Sequence, residues 1–277
     1  MTINCKGKLL DLGAPKVMGI LNLTPDSFFD GGSYMDGNSV LHRVESMLVQ
    51  GADIIDLGAY SSRPGADGVS EADELKRLIP MLDLILDRFP QAIISIDTFR
   101  SVVARESVAH GAAMINDIAA GNLDPMMIPV VAELQVPYIM MHMKGDPKTM
   151  QGEVQYGDLI KDIHYYFSQK IQEAVSHKIK DIILDPGFGF SKTLEQNYFL
   201  LNHLELFRTF GLPLLIGLSR KSMIYKLLGT SPKEALNGTT ALHAIALLKG
   251  ANIIRAHDVR EAVECVKLVE VLKVGAS

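Results

Sequence analysis

The chain has 277 residues, 48% of them hydrophobic, a formal net charge of −5 and only two cysteines. The negative balance offers no field for nucleic acid or an acidic membrane, and Cys5 and Cys265, one near each end, make neither a zinc pattern nor a disulfide framework. No apolar run approaches the eighteen or so residues of a membrane span and the first residues lack the apolar core of a signal peptide, so a soluble, cytoplasmic protein without nucleic-acid or membrane partners is expected.

Residues 1–15 read as a short hairpin turning at Lys6-Gly7, closed off by Pro15. Behind it one unit recurs: a short β-branched run, a polar loop, then a helix with an apolar period of about 3.6. Strands are expected at 17–21, 53–57, 92–96, 113–115, 138–141, 182–184, 214–216 and 253–254, most with apolar residues on both faces, as an enclosed parallel sheet requires. Helix starts are signposted. Ser70-Glu71-Ala72-Asp73 opens a stripe of Leu75, Leu78, Ile79 and Leu82 that Pro90 stops, and Asp124-Pro125 places a cap before a first-turn proline. Ser231-Pro232-Lys233-Glu234 and Asp258-Val259-Arg260-Glu261 follow the same style, while Gly111 and Gly250 stand where helix C-caps need a left-handed residue. Eight strands alternating with helices predict an α/β fold, a single (β/α)8 TIM barrel with a short N-terminal β-hairpin, in preference to an open doubly wound sheet. With no linker, repeat or low-complexity tract, residues 1–277 read as one domain.

In such a barrel all strand carboxyl ends open on one face, where function is built. Polar residues accumulate at those ends: Asn22, then Asp56 and the Ser61-Ser62-Arg63-Pro64-Gly65 run, Asp97-Thr98, Asn116-Asp117, His142, Asp185, Ser219-Arg220-Lys221 and Arg255-Ala256-His257. Each alone suits a turn or helix cap. Together they set both charge signs around one mouth. Asp97, Asn116 and Asp185 suit a flat heterocycle rich in N–H donors, since one carboxylate accepts two parallel N–H bonds. Arg63, Lys221, Arg255 and His257 suit a phosphorylated anion. In Asp185-Pro186-Gly187-Phe188-Gly189-Phe190-Ser191-Lys192 the glycines allow a tight turn, and the two phenylalanines offer an apolar wall for a ring. Residues 18–32 run from a buried strand, past Asn22, into a polar loop that ends in Gly31-Gly32.

These segments, in order, resemble the signature pattern of the dihydropteroate synthases, pterin-binding barrel enzymes of folate biosynthesis, from Val17 onward. The resemblance implies that Asp97, Asn116, Asp185 and Lys221 hold a pterin, and that Asn22 coordinates Mg2+ together with a diphosphate that Ser62, Arg63, Arg255 and His257 help to hold. It further implies that Phe28, Ser62, Pro64, Phe190, Ser219 and Lys221 border 4-aminobenzoate, with Lys221, Asp97, Asp185 and Asp30 closest to the chemistry. Members condense (7,8-dihydropterin-6-yl)methyl diphosphate with 4-aminobenzoate, releasing diphosphate and 7,8-dihydropteroate. Sulfonamides compete with the arylamine, and the usual assembly is a homodimer. The physical logic favours a dissociative route in which diphosphate leaves first, carboxylates stabilise the cationic pterin methylene, and the neutral amine adds without a covalent enzyme intermediate. The loop from Thr24 to Gly32 would close over that cation with Phe28 and Asp30.

Positions in two loops depart from the common pattern. Where the family often has Gly-Glu-Ser-Thr-Arg-Pro-Gly, this chain has Ala59-Tyr60-Ser61-Ser62-Arg63-Pro64-Gly65, losing an acid at Tyr60 and a methyl at Ser62, and Phe29 stands where a small residue is common. None removes an essential functional group. Two rivals share the ring-holding acids: a pterin-dependent methyltransferase domain and a non-catalytic pterin-binding module. The methyltransferase has no use for a diphosphate cradle, and the non-catalytic module would shed those two loops, whose sequences are present here.

Overall fold

The computed structural model describes residues 1–23, 36–60 and 69–274. Strands β1 (Thr2–Cys5) and β2 (Lys8–Asp11) pair antiparallel, with Lys6 and Gly7 at φ 50° and 87°, the left-handed geometry of a two-residue hairpin turn. Eight parallel strands follow: β3 (Lys16–Asn22), β4 (Ile54–Gly58), β5 (Ile94–Asp97), β6 (Met114–Asp117), β7 (Tyr138–Met141), β8 (Ile182–Asp185), β9 (Leu215–Ile216) and β10 (Ile253–Ala256). Their order is β8-β7-β6-β5-β4-β3-β10-β9. A parallel bridge between Leu184 and Leu214 brings β9 back beside β8, so the barrel is nearly closed. Helices α1 (Gly37–Val49), α2 (Glu71–Arg88), α3 (Ser101–Ala109), α4 (Met127–Leu134), α5 (Leu159–Ser176), α6 (Leu194–Asn202), α7 (Ser222–Leu228), α8 (Leu236–Leu248) and α9 (Val259–Val274) alternate with the strands.

Strand period two divides the core. Val17, Leu21, Ile55, Leu57, Ile115, Ile216 and Ile254 pack with helix residues such as Val44, Leu82, Val131 and Phe167. Residues of the opposite parity, Met18, Ile54, Met114, Ile139, Ile183, Leu215 and Ile253, gather with Ile3, Cys5 and Leu12. The hairpin therefore plugs the amino-terminal end of the barrel. Two residues further along the same interior rows stand Ile20, Asp56, Asn116, Met141, Asp185 and Arg255, where the lining turns polar. The site begins there, on a floor of apolar side chains.

Several expectations shift by a residue or two. Asn22, Asp97, Asn116 and Asp185 are the last or next-to-last residues of their strands instead of lying beyond them, and Arg255 sits within β10. Ladder hydrogen bonds therefore fix their backbones. Asp124 does not cap α4, which begins after Met126; its carboxylate accepts from Ser101 N–H at 2.7 Å and Met126 N–H at 2.9 Å, capping α3 instead. Phe188, expected to line a wall, is fully buried in the outer core. Gly111 and Gly250, at φ 109° and 103°, follow α3 and α8 as expected. Among the described residues no helix is long and apolar enough to cross a membrane.

Candidate active site

Four strands contribute to one charged network inside the barrel mouth. Arg255 Nε donates to Asp56 Oδ2 at 2.6 Å, and its Nη2 donates to Asp97 Oδ2 at 2.7 Å. Asn116 Nδ2 donates to the same Asp56 oxygen at 3.1 Å. One guanidinium thus serves two carboxylates from neighbouring strands, and the second Asp56 oxygen is buried without a hydrogen-bond partner among the described residues. Burial, opposed by Arg255 and reinforced by the Asp56 charge, pushes Asp97 up to about 7. The paired acids in turn hold Arg255 above the usual arginine range despite its burial.

Lys221, at the N-cap of α7, supplies the second cation. Its Nζ donates to the Phe188 carbonyl and lies 4.7 Å from the centre of the Phe190 ring, a cation–π contact. Gly189 makes room for it: at φ 80°, a Cβ there would fall 3.2 Å from Lys221 Cδ. Burial pushes Lys221 down to about 8, with Asp185 acting against that shift. Asp185 is buried, takes Gly187 N–H at 2.8 Å, and is raised by burial against the pull of Lys221. Phe190 also packs on Met141, Met143, Met150, Ile118 and Ala119, an apolar flank to the acids.

At the rim, Ser219 Oγ lies 3.0 Å from His257 Nδ1 and accepts His257 N–H at 3.1 Å, so these two expected site residues form one unit. Asn22 faces Asp97 across Gly58, whose absent side chain leaves the gap open: a Cβ there would sit 3.7 Å from both Asn22 Oδ1 and Asp97 Oδ2. Among the described residues no three His, Cys, Asp or Glu side chains converge as a metal cage. Asn22 Oδ1 nevertheless fits a hard cation such as Mg2+, which commonly takes one or two protein oxygens and completes its shell with substrate phosphates and water.

Other expected strand-end residues have structural duties. Asp117 accepts Tyr138 O–H at 2.6 Å and the N–H groups of Ala119 and Gly121 at 2.8 and 2.7 Å, fastening a turn. Arg220 forms a two-point pair with Asp258 at 2.7 and 2.8 Å, away from Lys221. His142 is buried against Lys192, and burial holds it far below the ordinary histidine range. Tyr60 meets the edge of Phe99 at 5.0 Å under Arg100, which pairs with the buried Glu74, so the lost acid is replaced locally by ring contacts. Phe28, Phe29, Asp30, Ser62, Arg63 and Pro64 lie outside the described residues.

The pattern of a pterin binding enzyme matches residues 18–257. The chain is 46% identical over 272 residues to the dihydropteroate synthase of Escherichia coli K12, covering 98% of this chain and 96% of that one. The dihydropteroate synthase of Synechocystis is 44% identical over 259 residues, 92% of this chain and 89% of that one. Among solved structures, the Yersinia pestis dihydropteroate synthase in a sulfonamide drug complex superposes with a TM-score of 0.94 at 43% identity, covering 99% of this chain and all of that one. The Xanthomonas albilineans dihydropteroate synthase with 4-aminobenzoic acid gives 0.91 at 36% identity, covering 98% of each chain.

Proposed function

The chain belongs to the pterin-binding enzymes, and among them to the dihydropteroate synthases, transferases of folate synthesis; on that footing we propose that it condenses (7,8-dihydropterin-6-yl)methyl diphosphate with 4-aminobenzoate, giving 7,8-dihydropteroate and diphosphate. The observation that carries this reading is the network at the barrel mouth, where Asp56, Asp97 and Asn116 gather round Arg255 with Asp185 and Lys221 beside them. Buried carboxylates and an amide match the N–H edge of a pterin, and each charge-assisted bond of that kind contributes about 1.5–3 kcal/mol. Asp97, Asn116, Asp185 and Lys221 hold the ring. Arg255 and His257 face the diphosphate, a role the family resemblance extends to Ser62 and Arg63. Phe190 and Ser219 border the arylamine, a role the resemblance extends to Phe28, Ser62 and Pro64, and the related structures with 4-aminobenzoic acid and a sulfonamide drug support both as ligands here.

Mg2+ bound to Asn22 and the diphosphate would supply the charge neutralisation that makes diphosphate a good leaving group. The protein's own groups do the rest. Arg255 and His257 draw the leaving anion away, while Asp97 and Asp185 stabilise the positive charge left on the pterin methylene. The neutral arylamine then adds from the Phe190 side and, after the C–N bond forms, gives its proton to water, so no base is needed to activate it beforehand. Asp30 and Phe28 would shield the cation from water. The homodimer fits the exposed apolar Leu268, Val271 and Leu272 of α9 and Leu248 of α8.

The test supplies the pterin diphosphate, 4-aminobenzoate and Mg2+ and follows diphosphate and pteroate together. Intact pterin binding with no diphosphate release would refute the synthase reading. Release from the pterin substrate alone supports ionisation first, and strict dependence on the arylamine would refute that order.

A further inference from the structure

Lys192 takes no part in the chemistry above, yet its ammonium is buried directly behind the site. Its Nζ lies 3.0 Å from His142 Nδ1, 3.0 Å from the Gly187 carbonyl oxygen and 3.1 Å from the Phe190 carbonyl oxygen. An ammonium has three donors, and here three neutral acceptors surround them. Burying such a charge is costly, and an apolar side chain of the same length would fill the space at less cost. The gain therefore lies in what the ammonium holds.

It holds the turn at Gly187. That residue's N–H donates to Asp185 Oδ1 at 2.8 Å, while its carbonyl accepts from Lys192 and from Phe190 N–H at 3.2 Å. At φ 72° its Cα lies so close to β7 that a Cβ would sit 2.1 Å from the His142 carbonyl oxygen. His142 N–H in turn donates to the Asp185 carbonyl at 2.9 Å. From one end of this turn hangs the Asp185 carboxylate, and from the other the Phe190 ring under Lys221. We propose that Lys192 is a positioning residue for the synthase site, its ammonium fixing the 187–190 turn and thereby setting Asp185 and Phe190 against the pterin. The proposal rests on the synthase reading.

The charged and titratable groups facing Lys192 are Asp185, Lys221, Lys144 and the neutral His142. Burial pushes Lys192 down to about 7; Asp185 opposes the shift, while Lys221 and Lys144 add to it. A neutral amine keeps two donors, so one of the three ties is lost as pH rises.

The experiment compares the full-length enzyme with Lys192→Met. The expected result is a rise of about tenfold in KM for the pterin diphosphate together with a fall of about threefold or more in kcat, because Asp185 serves both the bound ring and the cationic methylene. As pH passes about 7 the ratio of the parent's KM to that of Lys192→Met should climb toward one, a comparison in which the Asp97 step, common to both proteins, cancels. A folded Lys192→Met with the parent's KM and pH profile would overturn the proposal. A second measurement needs neither turnover nor a folded Met variant. The chain has no tryptophan, so Phe190→Trp gives a single reporter on the turn. Its emission in the ligand-free protein should shift with a midpoint of about 7, and emission constant across that range would also overturn the proposal. A chain inactive as a synthase that still shows the emission shift would sink the functional reading and leave the tie standing.

Discussion

The sharing of one guanidinium between two acids makes a quantitative prediction about stability. Arg255 Nε meets Asp56 Oδ2 at 2.6 Å, and Asp56 is fully buried. At an effective dielectric of about 20, a contact of that length has a gross attraction of roughly 6 kcal/mol, most of it offset by taking the charges out of water. Breaking such a pair from one side is costly because the other charge stays behind. Asp56→Asn leaves Arg255 with Asp97 still at 2.7 Å, so its cost should fall at the lower end of the usual range, about 3 kcal/mol. Arg255→Met strands two carboxylates and should cost about 5 kcal/mol. The double variant has only Asp97 left without its cation, so it should lose about 3–4 kcal/mol rather than the ~8 of a simple sum. Urea unfolding of the ligand-free proteins, read at constant m-value, measures all three. Additivity to within about 0.5 kcal/mol would show that the contact does not couple the residues and would refute the shared-charge account.

Asp97 adds a pH dependence. Its folded pKa of about 7 lies above that of an unfolded aspartate, so the folded state binds the extra proton between about pH 4 and 7 and stability falls across that window as pH rises. Pterin affinity should move the opposite way, rising as Asp97 ionises and accepts the N–H edge, and Asp97→Asn should flatten both curves in calorimetric titrations and melts. Gly187→Ala should be among the more damaging small substitutions, costing about 3 kcal/mol or more in urea unfolding, because a Cβ would meet the His142 carbonyl at 2.1 Å in a backbone held at φ 72°; loss below about 0.5 kcal/mol would contradict the packing described. Asn22→Ala should raise the Mg2+ concentration needed for half-maximal rate while leaving affinity for the bare pterin unchanged, as equilibrium binding without metal would reveal. Leu268→Glu with Leu272→Glu should convert the proposed dimer to monomer in light scattering; an unchanged mass would exclude this face of α9 from the interface.

The barrel was legible because its signals are local. Strand runs, caps and the glycines at 111 and 250 each follow from a few neighbouring residues, and the strand errors were of one or two positions, where polar residues such as Asp97 and Asp185 end a ladder that hydropathy alone would have closed earlier. Which member of a polar pair faces the mouth was less legible. Asn116 turns inward and Asp117 outward, Lys221 to the site and Arg220 to Asp258, because strand parity and the turn after β9 divide them. Asp56 did carry a readable sign: a charge inside Ile54-Ile55-Asp56-Leu57 cannot be buried without a partner, although the partner lies 199 residues away. Lys192 carried none. Its acceptors are two carbonyls and a histidine brought together only by the turn at Gly187, and no spacing in the chain announces that.

The same network explains why an acid at the mouth has a pKa near neutrality at all. Asp56 and Asp97 compete for Arg255, and Asp56 is the more deeply enclosed of the two, with Asn116 also donating to it. Two carboxylates against one guanidinium leave a surplus negative charge at the Asp97 end, which burial raises in energy. A ligand edge carrying several N–H donors relieves that surplus directly, whereas an apolar ring or an anion of the same size does not. On the proposed reading these described residues would favour a donor-rich heterocycle, with the cations at Lys221 and Arg255 offsetting the repulsion between the acids and an anionic group carried on that ring.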